Sequence, residues 1–126
     1  MVSWAQIETI ASALPEVECV NDGRRSWAVR GKGIAWERPL RPKEAALLGD
    51  AAPVGDIIAI HVADEGIKQA LIAAQPSTFF TIDHFNGYPA VLALRTQLRV
   101  ADVRELFHDG WRIKAPASLL NLHPEL

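Results

Sequence analysis

Residues 24–39, RRSWAVRGKGIAWERP, decide the fold, because they predict a β-hairpin. Apolar and polar residues alternate around Gly31-Lys32, and glycine at the first central position suits a two-residue type II′ turn. With the turn there, one face carries the apolar pairs Val29 with Ile34 and Trp27 with Trp36, and the other face carries Arg24, Ser26, Ala28, Arg30, Ala35 and Glu37. One face is therefore predicted to pack in a core, and the other to be polar and cationic.

The composition is that of one soluble globular domain. The chain has 126 residues, of which 49% are hydrophobic and 22% charged, and this length is enough for a real core. No apolar run approaches the roughly 18 residues of a membrane span, so we expect no membrane partner. The N-terminus lacks the pattern of a signal peptide, so we expect a cytoplasmic protein. Cys19 is the single cysteine, which is more typical of a small core residue than of a nucleophile.

The charge is small overall but unevenly distributed. A formal net charge of −2 gives no general attraction to nucleic acid or anionic lipid. Residues 1–23 hold acids and no Lys or Arg, and residues 44–86 hold six acids against Lys68. The segment between them holds one acid, Glu37, against seven bases: Arg24, Arg25, Arg30, Lys32, Arg38, Arg41 and Lys43.

The other elements predict an α+β domain over residues 1–126. A capping box at Ser3 begins a helix that Pro15 ends, and Asp64 caps another helix with the apolar stripe Ile67, Leu71 and Ala74. The predicted strands outside the hairpin span residues 57–62, 78–82 and 88–95, a last helix spans 100–112, and residues 43–48 suit one or two helical turns. The order α-β-β-β-α-β-β-α favours a two-layer α/β sandwich, an antiparallel five-stranded sheet with helices on one face and the other face at least partly open.

Several stretches are similar to one known family. Residues 79–92, FFTIDHFNGYPAVL, the segment from Trp111 to Leu119, and the shorter stretches LPEV at 14–17 and VRGKG at 29–33 resemble the MmcQ/YjbR family. The resemblance implies a frataxin-like or secretion-chaperone-like fold of order α-β(3)-α-β(2)-α. Its members are commonly labelled DNA-binding, and it implies no catalytic residues for this chain.

The basic hairpin is the main argument for nucleic acid. A two-stranded ribbon can enter the major groove of DNA, where Arg and Lys meet phosphates and base edges. The candidate phosphate contacts are Arg24, Arg30, Lys32, Arg41 and Lys43. The alternative is a solvated edge strand whose cations prevent pairing with other chains.

The turn DHFNGYP is the second candidate. Four polar side chains lie close together there and could bind a small ligand: Asp83, His84, Asn86 and Tyr88. The alternative is turn chemistry, because Asn-Gly tolerates positive φ and Asp bonds its own backbone. We find no zinc-ligand spacing, P-loop, nucleophile elbow or dinucleotide fingerprint, so the sequence predicts no metal, cofactor or catalytic residue.

These observations favour a non-enzymatic binding module with DNA as its partner. One alternative is a chaperone-like module that holds a protein segment on the open sheet face or on an edge strand. A weaker alternative is a small-ligand site near residues 83–88. The sequence leaves the oligomeric state open.

Overall fold

A computed structural model describes all 126 residues and has the predicted α+β class. One antiparallel sheet of six strands has the order β1-β2-β3-β4-β6-β5. The strands are β1 Val17–Asn21, β2 Arg25–Val29, β3 Lys32–Glu37, β4 Ile57–His61, β5 Phe79–Phe80 and β6 Ala90–Leu94. The helices are α1 Trp4–Ser12, α2 Pro42–Leu48, α3 Glu65–Ala74, α4 Val100–Lys114 and α5 Ala117–Leu122, with 3₁₀ turns at Gly49–Ala51, Asp83–Phe85 and Arg95–Gln97. None of the helices combines the length and the apolar character that crossing a membrane requires.

Strand β1 is the sixth strand, in a segment to which the sequence analysis assigned no strand. It pairs with β2 along its full length, with Val17 opposite Val29 and Cys19 opposite Trp27. Val17 and Cys19 pack against the main core, while Glu18 points to the opposite side, so the short segment does alternate as a strand should. The predicted number of strands was one too low, because the alternation in β1 covers only five residues and is too short to indicate a strand.

The hairpin turn lies one residue earlier than predicted. Arg30 and Gly31 form its tip with φ angles of +47° and +78°, and a type I′ turn requires positive φ at both central residues. Val29 is therefore opposite Lys32 instead of Ile34. The register then shifts once more at a β-bulge, where Ile34 is the extra residue.

The bulge places the two tryptophans on opposite faces of the sheet. Trp27 is opposite Ala35 and is completely buried, whereas Trp36 is opposite Ser26 and is half-buried on the other side. Glu37 also changes sides relative to the prediction and accepts hydrogen bonds from Arg25. The predicted wall of two tryptophans is therefore wrong, because a one-residue shift reverses every later side chain.

We call the side that carries Trp27 the first face. Its core is one cluster of 20 buried residues, against which side chains of α1, α3, α4 and α5 pack. The predicted stripe of α3 is partly wrong, since Ile67 and Ala74 are exposed. The helix instead turns Lys68, Leu71 and Ile72 inward.

The side that carries Trp36 is the second face, and it is only partly open. A smaller cluster of six buried residues lies there: Ile57, Ala59, Ile82, Phe85, Ala90 and Leu92. Leu40 and Leu48 pack against it, so α2 is the one α-helix that we find on this face. Strand β5 stops at Phe80, earlier than predicted, and the chain that follows supplies Ile82 and Phe85 as part of this cover.

Candidate functional site

A groove on the second face lies between α2 and the segment 81–86. One wall consists of Arg41, Lys43, Glu44, Leu47 and Leu48. The other wall consists of Thr81, Ile82, Asp83, His84 and Asn86. The volume is about 680 Å³, which is within the usual range for small-molecule sites. We call this cavity the α2 groove.

An ion pair between Arg38 and Glu44 anchors the α2 wall. The two guanidinium Nη atoms lie 2.9 and 2.8 Å from the two carboxylate oxygens, and both side chains are largely buried. Glu44 also accepts a hydrogen bond from the backbone N–H of Arg41 at 2.8 Å. The hydrogen bonds from Arg38 are the main reason that the pKa of Glu44 falls to about 2. The negative charge of Glu44 is therefore matched before any ligand arrives.

Arg41 and Lys43 are the cations of the groove that remain free. Both are exposed, and neither side chain is among the ion pairs of the structure. The groove thus brings these two predicted phosphate contacts next to Asp83, His84 and Asn86, which the sequence analysis treated as a separate ligand site. The predicted residue sets meet because α2 folds over the second face.

Lys68 holds the opposite wall in place. Its Nζ donates to the carbonyl oxygens of Phe85 at 2.7 Å and Tyr88 at 3.1 Å, and it lies 3.3 Å from a carboxylate oxygen of Glu65. The side chain is 1% exposed, so its ammonium depends on these partners. Sequence analysis missed this residue, and the available signal was a lone lysine on the inward side of a short amphipathic helix.

The turn predicted for residues 83–88 is present, but its hydrogen bond is made by the backbone carbonyl of Asp83 and not by the carboxylate, as the sequence suggested. The N–H of Asn86 donates to the carbonyl of Asp83 at 3.0 Å, and Gly87 has a φ of +75°. Asp83, His84 and Asn86 nevertheless leave their side chains exposed along the groove. The turn therefore has a structural role and still presents polar groups to a ligand.

Tyr88, the fourth predicted residue of the turn, lies outside the groove in a neighbouring cavity of about 480 Å³. We call this cavity the aromatic recess, and its walls are Trp36, His84, Phe85, Asn86, Gly87 and Tyr88. The ring centroid of Phe85 lies 6.3 Å from that of Trp36 and 5.8 Å from that of Tyr88. Phe85 is almost completely buried, whereas Tyr88 is 44% exposed.

His61 lies beside the aromatic recess. Its ring centroid is 5.1 Å from that of Trp36 and 5.4 Å from that of Tyr88, whose hydroxyl is 3.4 Å from Nε2. Nδ1 is buried without a hydrogen-bond partner in the chain. Burial is the main cause that lowers the pKa of His61, and the charge of Lys114 lowers it further. The imidazole is therefore neutral at pH 7.

The cations at the hairpin tip have a different environment. Arg30 forms a bidentate pair with Glu16, with distances of 2.9 and 3.0 Å, and also reaches the hydroxyl of Ser118 at 3.4 Å. Lys32 beside it and Arg24 at the other end of β2 are exposed and form no ion pair. The tip therefore has one cation already occupied by a carboxylate.

The structure does not gather the five predicted phosphate contacts. Arg30 and Lys32 lie at the tip, whereas Arg41 and Lys43 follow the far end of β3, a strand of six residues and so about 20 Å long. The hairpin is also internal, because β1 pairs with β2 and β4 pairs with β3. The edge-strand alternative was wrong, and the edges of the sheet are β1 and β5.

Other reactive groups lie apart from this region. Cys19 is half-buried against the first-face core, and burial raises the pKa of its thiol, so it stays protonated at pH 7. Nowhere do three His, Cys, Asp or Glu side chains come together in a way that could hold a metal ion.

Three mycobacterial proteins are similar to this chain over almost its whole length. Each is 40% identical over 123 residues, which cover 95% of this chain and 94% of the relative. They are uncharacterized protein Mb2600 of Mycobacterium bovis and uncharacterized proteins MT2646 and Rv2570 of Mycobacterium tuberculosis. No family model matches the sequence, and no solved structure matches the chain. The chain belongs to the family of these three mycobacterial proteins.

Proposed function

We propose that this protein is a non-enzymatic binding module that takes a small anionic ligand in the α2 groove. The observation that carries the proposal is the position of Arg41 and Lys43, two exposed cations without ion pairs, opposite His84 and Asn86 in a cavity of about 680 Å³. Guanidinium and ammonium groups are the usual partners of phosphate and carboxylate, and an amide adds neutral hydrogen bonds that fix orientation.

The electrostatics of the groove support an anion of modest affinity. Arg38 already matches Glu44, so Asp83 is the one acid left to oppose Arg41 and Lys43. Because both cations are exposed, salt screens their attraction for a ligand. Affinity should therefore weaken as the ionic strength rises.

The groups on the groove walls favour binding over turnover. Thr81 is the one hydroxyl among them, and its Oγ1 donates to the carbonyl of Ile82 at 3.5 Å instead of to His84. The protonated Cys19 packs against the other face of the sheet. An activated nucleophile needs a base within hydrogen-bond reach, and the groove does not supply that pairing.

Isothermal titration with inorganic pyrophosphate at low salt tests the proposal. Charge reversal by Arg41→Glu with Lys43→Glu should weaken binding at least about tenfold, because two attractive contacts become repulsive. The matched control, Lys32→Glu with Arg104→Glu, makes the same change in net charge at the hairpin tip and on α4, away from the groove, and should leave binding within about twofold. Equal losses in both double variants would show that net charge, not the groove, attracts the anion.

DNA binding by the hairpin stays a prediction, as do the MmcQ/YjbR resemblance and the cytoplasmic location. What supports DNA binding is the exposure of Arg24 and Lys32, while the pairing of Arg30 with Glu16 and the spacing of the cations weigh against it. A gel shift with mixed duplexes at two salt concentrations tests it. Binding at low salt that Arg30→Glu with Lys32→Glu abolishes would support the hairpin.

The protein-segment alternative has less support from the surface. The uncovered part of the second face, at β1 and β2, presents Glu18, Val20, Ser26 and Ala28, of which Val20 is the one large apolar side chain. A docking face for a protein usually shows a contiguous apolar patch. We therefore favour the groove as the binding site.

A further inference from the structure

We propose that the ligand is a nucleoside phosphate, with its phosphate in the α2 groove and its base in the aromatic recess. This inference rests on the proposed function, because it assigns the anion to the same groove. It adds a second cavity and a chemical identity for the group that fills it.

The two cavities adjoin each other. His84 and Asn86 line both the groove of about 680 Å³ and the recess of about 480 Å³. A ligand that contacts these two side chains can therefore extend to either side of them. The arrangement suits a molecule with two chemically different ends joined by a short linker, which in a nucleotide is the sugar.

The recess has the chemistry of a stacking site. Trp36 and Tyr88 present partly exposed rings, and the buried Phe85 contacts both of them. Aromatic rings on a protein surface bind the flat face of any base, which gives affinity without a sequence preference. Asn86 can both donate and accept hydrogen bonds, so it suits the polar edge of a base or a sugar hydroxyl.

The charges decide which end of the ligand occupies which cavity. The neutral imidazole of His61 lies beside the recess, and the guanidinium of Arg38, 5.7 Å from the Phe85 ring, is held by Glu44. None of the residues that line the recess is a lysine or an arginine. Arg41 and Lys43 lie on the groove side, so the phosphate belongs there and the uncharged base belongs in the recess.

The test compares ribose 5-phosphate with AMP, which differ only in the base, by isothermal titration and tryptophan fluorescence. We expect AMP to bind at least about tenfold more tightly, because one stacked base adds that much affinity. Tyr88→Ala should bring AMP down to the affinity of ribose 5-phosphate, and Tyr88→Phe should keep most of the gain. AMP should also change the tryptophan emission of the wild type, and Trp36→Phe should remove that change.

The outcomes separate this inference from the proposed function. If ribose 5-phosphate binds through Arg41 and Lys43 but AMP binds no more tightly, the nucleoside assignment is overturned and the anion groove stands. If neither compound binds, the nucleoside assignment fails, and the pyrophosphate titration decides separately whether the groove binds an anion. A short single-stranded oligoadenylate distinguishes the sources of the ligand. Tighter binding of that strand than of AMP identifies a nucleotide within a strand, and weaker binding identifies a free nucleotide.

Discussion

The first face of the sheet buries 20 residues in one continuous apolar cluster, whereas the second face buries six and surrounds them with rings, an ion pair and a groove. Regular helices cover the first face. On the second face, the cover beside the groove is the short helix α2 and the mostly irregular segment 81–88, held by Arg38–Glu44 and by Lys68. The comparison indicates that the fold depends on the first face, whereas the proposed binding site depends on a few polar contacts of the second.

The largest expected effect comes from a substitution in the core of the first face. Phe107 is completely buried and packs edge-on against Trp27, with ring centroids 5.7 Å apart. Phe107→Ala should lower the free energy of unfolding by about 3–5 kcal/mol, because it removes a large side chain and leaves a cavity. Urea denaturation measures the loss. Phe107→Leu keeps most of the volume and should cost less, and its folded protein should bind ribose 5-phosphate like the wild type.

Lys68 should give the next largest effect, and on the second face. Lys68→Met keeps the length of the side chain but removes the ammonium that joins the carbonyls of Phe85 and Tyr88, which keep only their backbone hydrogen bonds. We expect a loss of about 1–3 kcal/mol in the free energy of unfolding, together with weaker ligand binding, because the wall 81–88 loosens. Gln69→Met, at an exposed position of the same helix, is the control and should stay within about 0.5 kcal/mol. Unchanged binding in Lys68→Met would mean that this lysine does not position the wall.

The sequence predicted the first face better than the second, and the reason is physical. Strand and helix periodicities mark residues such as Trp27, Ile58 and Ile60 as core, because burial of one side requires that pattern. The bulge at Ile34 places Trp36 on the opposite face of the sheet from Trp27, and no local sequence pattern indicates this bulge. Local alternation therefore predicts which residues form the first-face core. It does not predict on which face the residues after a bulge lie.

The groove needed information that local patterns do not carry. Arg41 and Asp83 are far apart in sequence, and they meet only because α2 and the segment 81–86 both fold onto the second face. Lys68 was missed for a different reason: lysine is almost never fully buried, so a lysine in a helix is ordinarily read as solvated. The chemistry of the groove residues was predicted, but their grouping was not.

The ion pair under α2 gives a smaller effect with a distinct pH dependence. Glu44→Gln should lower the free energy of unfolding by about 1–2 kcal/mol at pH 7. The folded pKa of Glu44, about 2, lies below its ordinary value of 4.5, so the pair stabilises the fold above pH 4.5 and this contribution is lost as the pH falls towards 2. Wild type and variant should thus differ at pH 6 and converge near pH 2. Glu105→Gln, which removes an exposed carboxylate without an ion pair, should show no such convergence.

A close approach between α4 and β3 gives an effect of about 1 kcal/mol on the first face. A Cβ at Gly110 would lie 2.8 Å from Cγ2 of Ile34, so Gly110→Ala overpacks this contact even though alanine favours helices. Thermal denaturation should show a net loss of stability. In an Ile34→Ala background the obstructing methyl group is gone, and the same Gly110→Ala substitution should become neutral or stabilising.

The smallest expected effect is at the hairpin tip, where backbone strain and an ion pair oppose each other. Arg30 and Glu16 are the two non-glycine residues with positive φ, +47° and +58°, and they bind each other. Arg30→Ala removes the ion pair and keeps the strain, whereas Arg30→Gly removes both. Arg30→Gly should therefore be the more stable of the two in thermal denaturation, and both shifts should be smaller than that of Gly110→Ala, because an exposed ion pair contributes little. If Arg30→Ala is the more stable variant, the tip is not held in the left-handed region. In the wild type, an Arg30 outside the left-handed region would be freer to contact a phosphate. This small difference in stability therefore bears on whether the hairpin can bind DNA.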